Sequence, residues 1–234
     1  RLIAALSAPT AEGVLYEVDM RLRPSGNKGP VATRITSFAK YQTEEAWTWE
    51  HMALTRARVL CGDESLMKEA DDIFRAVLGR KREPAKIAKD VAEMRNLIDQ
   101  EKPPKDVWDL KLIPGGLIDI EFIAQFLALL APVRGVPQPE RAMPTGEALA
   151  VLGAAMMDPN DLDAVQSALV LYTEISQIVR LCVDGSFDPK EAPAGLIDLV
   201  CRAGDSPDLR TLEADLKQRS KAVRKIFQAL VAKP

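Results

Sequence analysis

Apolar residues recur at intervals of three and four along most of this chain, and that periodicity restricts the fold more than any other feature. It begins after Gly62 and is interrupted at Pro103-Pro104 and at later Asp-Pro and Ser-Pro pairs. Such intervals are typical of helices that pack into a bundle. The apolar stripes of the four clearest helices are Leu66, Ala70, Ile73, Phe74 and Val77; Ile87, Val91, Met94 and Ile98; Val165, Leu169, Tyr172, Ser176 and Val179; and Leu209, Leu212, Leu216, Val223, Phe227 and Leu230. We therefore predict a mainly α fold, with Asp63 capping the first bundle helix and Gly79 ending it.

The first 62 residues follow a different pattern. From Val14 to Arg23 apolar and charged residues alternate, which predicts a strand with one apolar face and one ionic face. A glycine-containing loop follows, and Val31–Ile35 is the predicted partner strand of a small β-hairpin. A helix is predicted from Ser37 to about Val59. We therefore expect a domain boundary near Gly62, between a small hairpin-and-helix unit (residues 1–62) and a helical bundle (residues 63–234).

Composition limits the classes of function. Hydrophobic residues make up 47% of the chain and the formal net charge is -3, so a general affinity for nucleic acid is not expected. The longest apolar stretch, Phe122–Pro132, is too short to span a membrane. Three scattered cysteines and a single histidine predict neither a disulfide framework nor a zinc site, and they fit a reducing cytoplasm. The chain starts at Arg1 without a methionine or signal peptide, so we expect a fragment of a longer protein.

The first candidate site is the ionic face of the predicted strand, formed by Glu17, Asp19, Arg21 and Arg23. A carboxylate such as Asp19 can ligand Mg²⁺, and arginines two and four residues further on can bind phosphate oxygens. This pattern is compatible with metal-dependent phosphoryl chemistry. The alternative is an exposed hairpin face whose opposite charges pair with one another.

The second candidate site lies on the helix predicted from Ser37. It contains Trp49, Glu50, Arg56 and Arg58, and Arg56 shares a helical face with Trp49. The arginines could point toward the ionic strand face and contact phosphate. Alternatively, Trp47 and Trp49 anchor the core and the arginines extend to solvent.

The third candidate site follows Pro114. Gly115-Gly116 precedes a strongly apolar helix whose N-terminus could receive an anion, with Lys111 on one side and Asp119 and Glu121 in the first turn. The two carboxylates are about 200° apart on a helix, so they cannot jointly hold one metal ion. The alternative is that they cap the helix and that one of them pairs with a buried arginine or lysine.

Three blocks of sequence resemble the bacterial glutamine synthetase adenylyltransferase family. They are residues 16–26 (YEVDMRLRPSG), 41–58 (YQTEEAWTWEHMALTRAR) and 109–125 (DLKLIPGGLIDIEFIAQ), in family order and with family-like spacing. The sequences of the first two blocks are similar to the C-terminal, adenylylating half of these two-part nucleotidyltransferases. Residues 1–62 would then be the incomplete C-terminal part of a nucleotidyltransferase domain.

The resemblance implies an enzyme that uses ATP and Mg²⁺ to place AMP on a tyrosine of glutamine synthetase. Asp19 matches the third metal-binding carboxylate of the family and could help to deprotonate the tyrosine. Arg21, Arg23, Arg56 and Arg58 would contact phosphates or shape the cleft. The family's upstream Gly-Ser…Asp-x-Asp motif is not present in these 234 residues. We therefore expect that the chain alone is inactive and binds Mg²⁺ and ATP weakly.

Two other interpretations stay open. The helical bundle could be a protein-binding module that docks glutamine synthetase or the PII signal protein. Alternatively, the chain could come from the deadenylylating half of such an enzyme or from a related uridylyltransferase, although the Trp-Thr-Trp sequence argues against this. In each case the expected location is the cytoplasm.

Overall fold

The computed structural model describes residues 2–13, 18–139 and 141–234, and helices account for most of them. The α-helices in these ranges are α1 (Leu2–Ser7), α2 (Ile35–Glu44), α3 (Thr48–Leu54), α4 (Glu64–Leu78), α5 (Pro84–Glu101), α6 (Leu117–Arg134), α7 (Thr145–Ala148), α8 (Ala154–Met156), α9 (Pro159–Cys182), α10 (Ala194–Ala203) and α11 (Leu209–Ala232). A π-helical stretch joins α7 to α8. The predicted mainly α fold is confirmed. None of the described helices is both long and apolar enough to cross a lipid bilayer.

The most apolar segment of the sequence, α6, forms the centre of the bundle. A helix that is apolar on every side is stable only where neighbouring elements cover it. The helices that pack against α6 include α3, α5, α9 and α11. Its side chains Ile120, Ile123, Phe126, Leu127 and Leu129 are at most 1% exposed. Burial of each such side chain contributes about 1.5–3 kcal/mol to folding, so α6 supplies much of the core.

Local capping signals set the helix ends as predicted. The Asp63 carboxylate accepts hydrogen bonds from the backbone N–H groups of Ser65 and Leu66 at the start of α4. Gly79 follows the last residue of α4, and α5 ends at Glu101, just before Pro103-Pro104. The predicted boundaries at these positions are confirmed.

The predicted burial of the α4 stripe is only partly correct. Val77 is 3% exposed, but Leu66 is 47% exposed. The main neighbours of α4 are the short helices α2 and α3, and the Phe38 ring of α2 packs edge-on against Phe74. These neighbours cover the C-terminal part of α4 and leave its first turn open.

The predicted β-hairpin is not found in the described residues. Residues 14–17, which include Glu17, lie outside the described residues, and residues 18–23 are irregular. The expected partner strand Val31–Ile35 is wrong, because residues 31–34 form no strand and Ile35 begins α2. The β pairing that the described ranges do contain is an isolated bridge between Thr10 and Gly13. A strand needs a neighbouring backbone to pair with, and an isolated two-stranded ribbon is marginal in water.

The helix predicted from Ser37 to Val59 is two helices. The chain is extended at Trp47, whose backbone N–H donates to the Glu50 carboxylate at 2.9 Å and so starts α3 as a separate helix. Arg56 and Arg58 therefore lie beyond the end of α3. Met52 of α3 is 2% exposed and belongs to the same core as Ile120. The domain boundary near Gly62 stays a prediction.

A cluster of four charged side chains connects α5, α6 and α11. Arg95 and Asp119 have fully buried side chains, and Arg95 Nε donates to Asp119 Oδ1 at 2.5 Å. Arg224 donates to Asp119 Oδ1 and to Asp99 Oδ2, each at 3.0 Å, and Arg95 also pairs with Asp99. A buried charge is tolerated only when an opposite charge and hydrogen bonds satisfy it. The cluster meets this condition, since each of its four groups contacts two groups of opposite charge.

The Gly115-Gly116 turn fits closely between α6 and α11. Gly115 has a φ of +82°, and a Cβ atom there would lie 1.8 Å from the backbone oxygen of Ser220. A Cβ on Gly116 would lie 2.5 Å from the backbone oxygen of Leu110. Gly115 is therefore required because the backbone of α11 passes directly over it, and Gly116 because the backbone of the preceding loop lies against it.

We predict that Asp119→Ala lowers the free energy of unfolding by about 3–5 kcal/mol, because it leaves two arginines without a shared buried partner. Urea denaturation followed by circular dichroism measures this change. The matched control is Glu213→Ala, which removes an exposed carboxylate that pairs with Lys217 one turn along α11. The control substitution should lower the free energy of unfolding by less than about 1 kcal/mol. Equal effects of the two substitutions would contradict a structural role for the buried cluster.

Candidate functional site

Asp19 and Arg21 form a local ion pair on the surface. Arg21 Nε lies 3.0 Å from both carboxylate oxygens of Asp19, Nη2 lies 2.7 Å from Oδ2, and the Arg21 backbone N–H lies 2.9 Å from Oδ1. The two side chains are 54% and 71% exposed, respectively. The hydrogen bonds from the Arg21 side chain, followed by that from its backbone, lower the pKa of Asp19 to about 2. The carboxylate is therefore ionised and accessible at neutral pH, as a metal ligand needs to be.

Arg23 stabilises the loop that follows. Its Nη1 donates to the backbone oxygen of Met20 at 2.6 Å, and its Nε donates to that of Gly29 at 3.3 Å. It does not join Asp19 and Arg21 on one ionic face, as the predicted strand would require. The reason is that the segment turns instead of extending, so the side chain bonds to its own loop.

Glu50 organises the junction between α2 and α3. Besides accepting from the Trp47 N–H, it accepts a hydrogen bond from the Tyr41 hydroxyl at 2.7 Å. The two tryptophans beside it lie at the surface, with Trp49 37% and Trp47 70% exposed. The interpretation of Trp47 as a core anchor is therefore wrong, because Trp47 is the extended residue just before α3 and its side chain lies in solvent.

Arg56 and Glu121 bring the second and third sequence blocks together. Arg56 Nη1 lies 3.3 Å from Glu121 Oε2, and the side chains are 48% and 35% exposed. Asp119, two residues earlier on α6, faces the opposite way into the buried cluster. The sequence correctly placed the two carboxylates on different sides of the helix.

The Gly-Gly turn does not offer free donors to an anion. The Gly115 N–H donates to the Asp119 carboxylate, and the turn is covered by α11. Of the two interpretations, the geometry supports capping and ion pairing. Lys111 is exposed beside the turn, and its backbone oxygen accepts from the Ile118 N–H at 3.2 Å.

A cleft of about 510 Å³ lies between the loop that contains Arg23 and helices α2, α3, α4 and α6. Arg23, Arg56 and Glu50 supply its charged groups, and Phe38 and Phe74 belong to its apolar wall. Neither Asp19 nor Arg21 lines it, and the role of Asp19 as a metal ligand stays a prediction. The described residues also contain no group of three or more His, Cys, Asp or Glu side chains that could hold a metal ion.

The sequence analysis missed the partners of Asp119. Its alternative interpretation included an ion pair with a buried arginine or lysine but did not say which residue. In the structure the partners are Arg95 and Arg224. A usable signal was present for Arg95, which lies four residues after Val91, on the apolar side of a predicted helix where charged residues are rare. Arg224 had no such local signal.

We predict that Arg21→Met raises the pKa of the Asp19 carboxyl from about 2 toward the ordinary value near 4. The pair favours the folded loop above about pH 4, and this contribution is lost as the pH falls toward 2, because the folded-state pKa is the lower one. NMR titration of the aspartate carboxyl carbons measures the shift. Asp63, whose pKa is lowered by hydrogen bonds from Ser65 and Leu66, should not change. An unchanged Asp19 pKa would contradict the observed pairing.

Comparison with known proteins identifies the family. Residues 1–73 match the family model described as glutamate-ammonia ligase adenylyltransferase. A relative from Rhizobium meliloti, named bifunctional glutamine synthetase adenylyltransferase/adenylyl-removing enzyme, is 73% identical over 99% of this chain and 24% of its own length. A relative of the same name from Agrobacterium fabrum is 67% identical over 99% of this chain and 23% of its own length.

The similarity continues through the helical bundle, well beyond the three sequence blocks. The chain spans about a quarter of the length of the curated relatives it matches. On this identity over nearly all of its residues, the chain belongs to the glutamine synthetase adenylyltransferase family, as a segment of the longer proteins that make up that family.

Proposed function

We propose that this chain is a segment of an enzyme that transfers AMP from ATP to a tyrosine hydroxyl of glutamine synthetase. The observation that carries the proposal is the 73% identity with the Rhizobium meliloti relative over 99% of this chain. The name of that relative contains two activities. We assign the segment to the adenylylating half because the sequences of residues 15–19 (LYEVD) and 45–51 (EAWTWEH) resemble that half of the family's enzymes.

In the proposed reaction the tyrosine oxygen attacks the α-phosphorus of ATP, the bond to the bridging oxygen breaks, and pyrophosphate leaves. The phenolic proton must be removed, since a tyrosine hydroxyl titrates near ~10. A general base works best when its pKa is near the operating pH. The pKa of Asp19 is about 2, so this carboxylate is a weak base. We therefore assign Asp19 to binding the metal ion and not to removing the proton.

Asp19 is suited to be one ligand of a Mg²⁺ site. Mg²⁺ takes oxygen ligands, mostly from one or two carboxylates, substrate phosphates and water, and when bound it offsets the charge that develops on phosphate. The Asp19 carboxylate is ionised and half-exposed, although Arg21 would have to release one of its oxygens. The remaining carboxylates would come from parts of the longer protein beyond these residues, so the chain alone is expected to bind Mg²⁺ weakly.

The cleft of about 510 Å³ is the proposed place for the adenosine part of ATP, since its volume lies in the range of small-molecule sites, and the triphosphate would extend out of it toward Asp19, which does not line it. Phe38 and Phe74, whose ring centroids are 5.9 Å apart, offer an apolar surface to the adenine ring. Arg23 and Arg56 each keep N–H donors that their present partners do not use, and these donors can bind phosphate oxygens. Arg58, the other candidate from the sequence, does not line this cleft.

Glutamine synthetase is the proposed protein substrate, because the names of the relatives include it. The PII signal protein as a regulatory partner and the cytoplasm as the location are further parts of the proposal. They rest on the family resemblance of the three sequence blocks.

The test replaces the matching segment of the Rhizobium meliloti relative with this chain and measures AMP transfer to glutamine synthetase. We expect the chimera to keep activity within about tenfold, and Asp19→Asn to lower it by at least about a hundredfold, since even indirect partners of a metal cost 10–100-fold. Removal of AMP, measured on the same proteins, should be unchanged if the segment serves the adenylylating half.

The matched control is Asp63→Asn. It makes the same chemical change at an exposed carboxylate, and asparagine caps a helix as well as aspartate does. An inactive chimera that folds normally would contradict the proposed function. An active chimera in which Asp19→Asn and Asp63→Asn behave alike would remove Asp19 from the site.

A further inference from the structure

A second cleft, of about 270 Å³, lies on the other side of the wall that bounds the first. The wall consists of Leu54, Arg56, Ala57, Phe74 and Gln125, which line both clefts. The second cleft opens between α4, α6, α7 and the residues 138–139 and 141–143 that precede α7. The proposed function places neither ATP nor Mg²⁺ in this second cleft, although Arg56 lines both clefts.

The floor of the second cleft is apolar. Its residues Leu54, Ala124, Ala128, Ala148 and Leu152 are at most 9% exposed. Small side chains at three of these positions keep the space open. Because removing apolar surface from water lowers the free energy, the floor favours the apolar body of a ligand.

The rim of the same cleft carries arginine side chains. The four that line it are Arg56, Arg58, Arg75 and Arg141. Asp71 is the acidic residue among the lining residues that the structure describes. Four guanidinium groups around a small apolar space can hold an anion by charge-assisted hydrogen bonds.

Three of these arginines have carboxylate partners that do not line the cleft. The pairs are Arg56 with Glu121, Arg75 with Asp72, and Arg141 with Glu147. Each guanidinium has five N–H donors, so these ion pairs leave some N–H groups of each arginine available to bind an anion. Arg58 has neither an ion pair nor a side-chain hydrogen bond to another residue in the described ranges.

We propose that this second cleft binds a small organic anion, with its apolar body on the alanine and leucine floor and its carboxylate, phosphate or sulfonate on Arg58. The combination selects against inorganic anions, which gain nothing from the floor, and against neutral apolar molecules, which gain nothing from the rim. Because Arg56 lines both clefts, such a ligand would lie directly beside the proposed ATP site. Its binding does not depend on the proposed enzymatic activity, so the isolated chain can be tested.

The probe is anilinonaphthalene sulfonate, a fluorescent anion with an apolar body, titrated into the chain of 234 residues. We expect Arg58→Gln to weaken binding at least about tenfold, since hydrogen bonds between charged groups contribute about 1.5–3 kcal/mol. The matched control is Arg180→Gln, which makes the same change at an exposed arginine of α9 and should leave the affinity unchanged. Phenylnaphthylamine, which has the same body without the sulfonate, should bind more weakly and should not respond to Arg58→Gln.

Two-dimensional NMR of the backbone amides locates the probe on the wild-type chain. Shifts at Ala128, Ala148 and Leu152 are expected. The proposal is overturned if the shifts lie elsewhere, if Arg58→Gln binds the probe as tightly as wild type, or if both arginine variants weaken binding equally. Circular dichroism of each variant confirms that a loss of binding does not reflect unfolding.

Discussion

The ion pairs of the buried Asp119 carboxylate set the geometry of this protein. They join α5, α6 and α11 through Arg95 and Arg224, which lie 24 and 105 residues away in sequence. Burying charges is costly, and the cost is offset only when each charge has a close partner and satisfied hydrogen bonds. The Gly115-Gly116 turn allows α11 to come near enough for these contacts. Gly115, Gly116 and Asp119 of the third sequence block therefore have a structural role: they hold α6 and α11 together.

Helix α6 also connects the buried cluster to the candidate site. Two residues separate the buried Asp119 from Glu121, which faces outward and contacts Arg56. The rotation of α6 that the cluster fixes thus also fixes the partner of Arg56, in the wall between the two clefts. A group held by a rigid, packed helix is positioned more accurately than one on a loop. Asp19 is the contrasting case, because a neighbour two residues away holds it on an irregular segment.

The sequence predicted those features that local chemistry decides. The cap at Asp63, the stop at Gly79 and the break at Pro103-Pro104 need no distant partner, and each was placed correctly. The alternation before Arg23 did not produce a strand in residues 18–23, because pairing requires a neighbouring strand that the described residues do not provide. The side-chain cap from Glu50 to Trp47, which divides one predicted helix into two, competes with an equally strong helical pattern. The choice of Arg95 and Arg224 as partners of Asp119 depends on tertiary packing.

Hydrogen exchange of the Gly115 backbone amide tests the central claim most directly. This N–H is buried and donates to Asp119, whereas a loop that waits for an anion would leave it free. The buried cluster predicts that the amide exchanges only through global unfolding, at a rate similar to that of core amides of α6. Exchange at the rate of an unprotected amide would contradict the structural role of the turn, and it would restore the possibility that the turn binds phosphate.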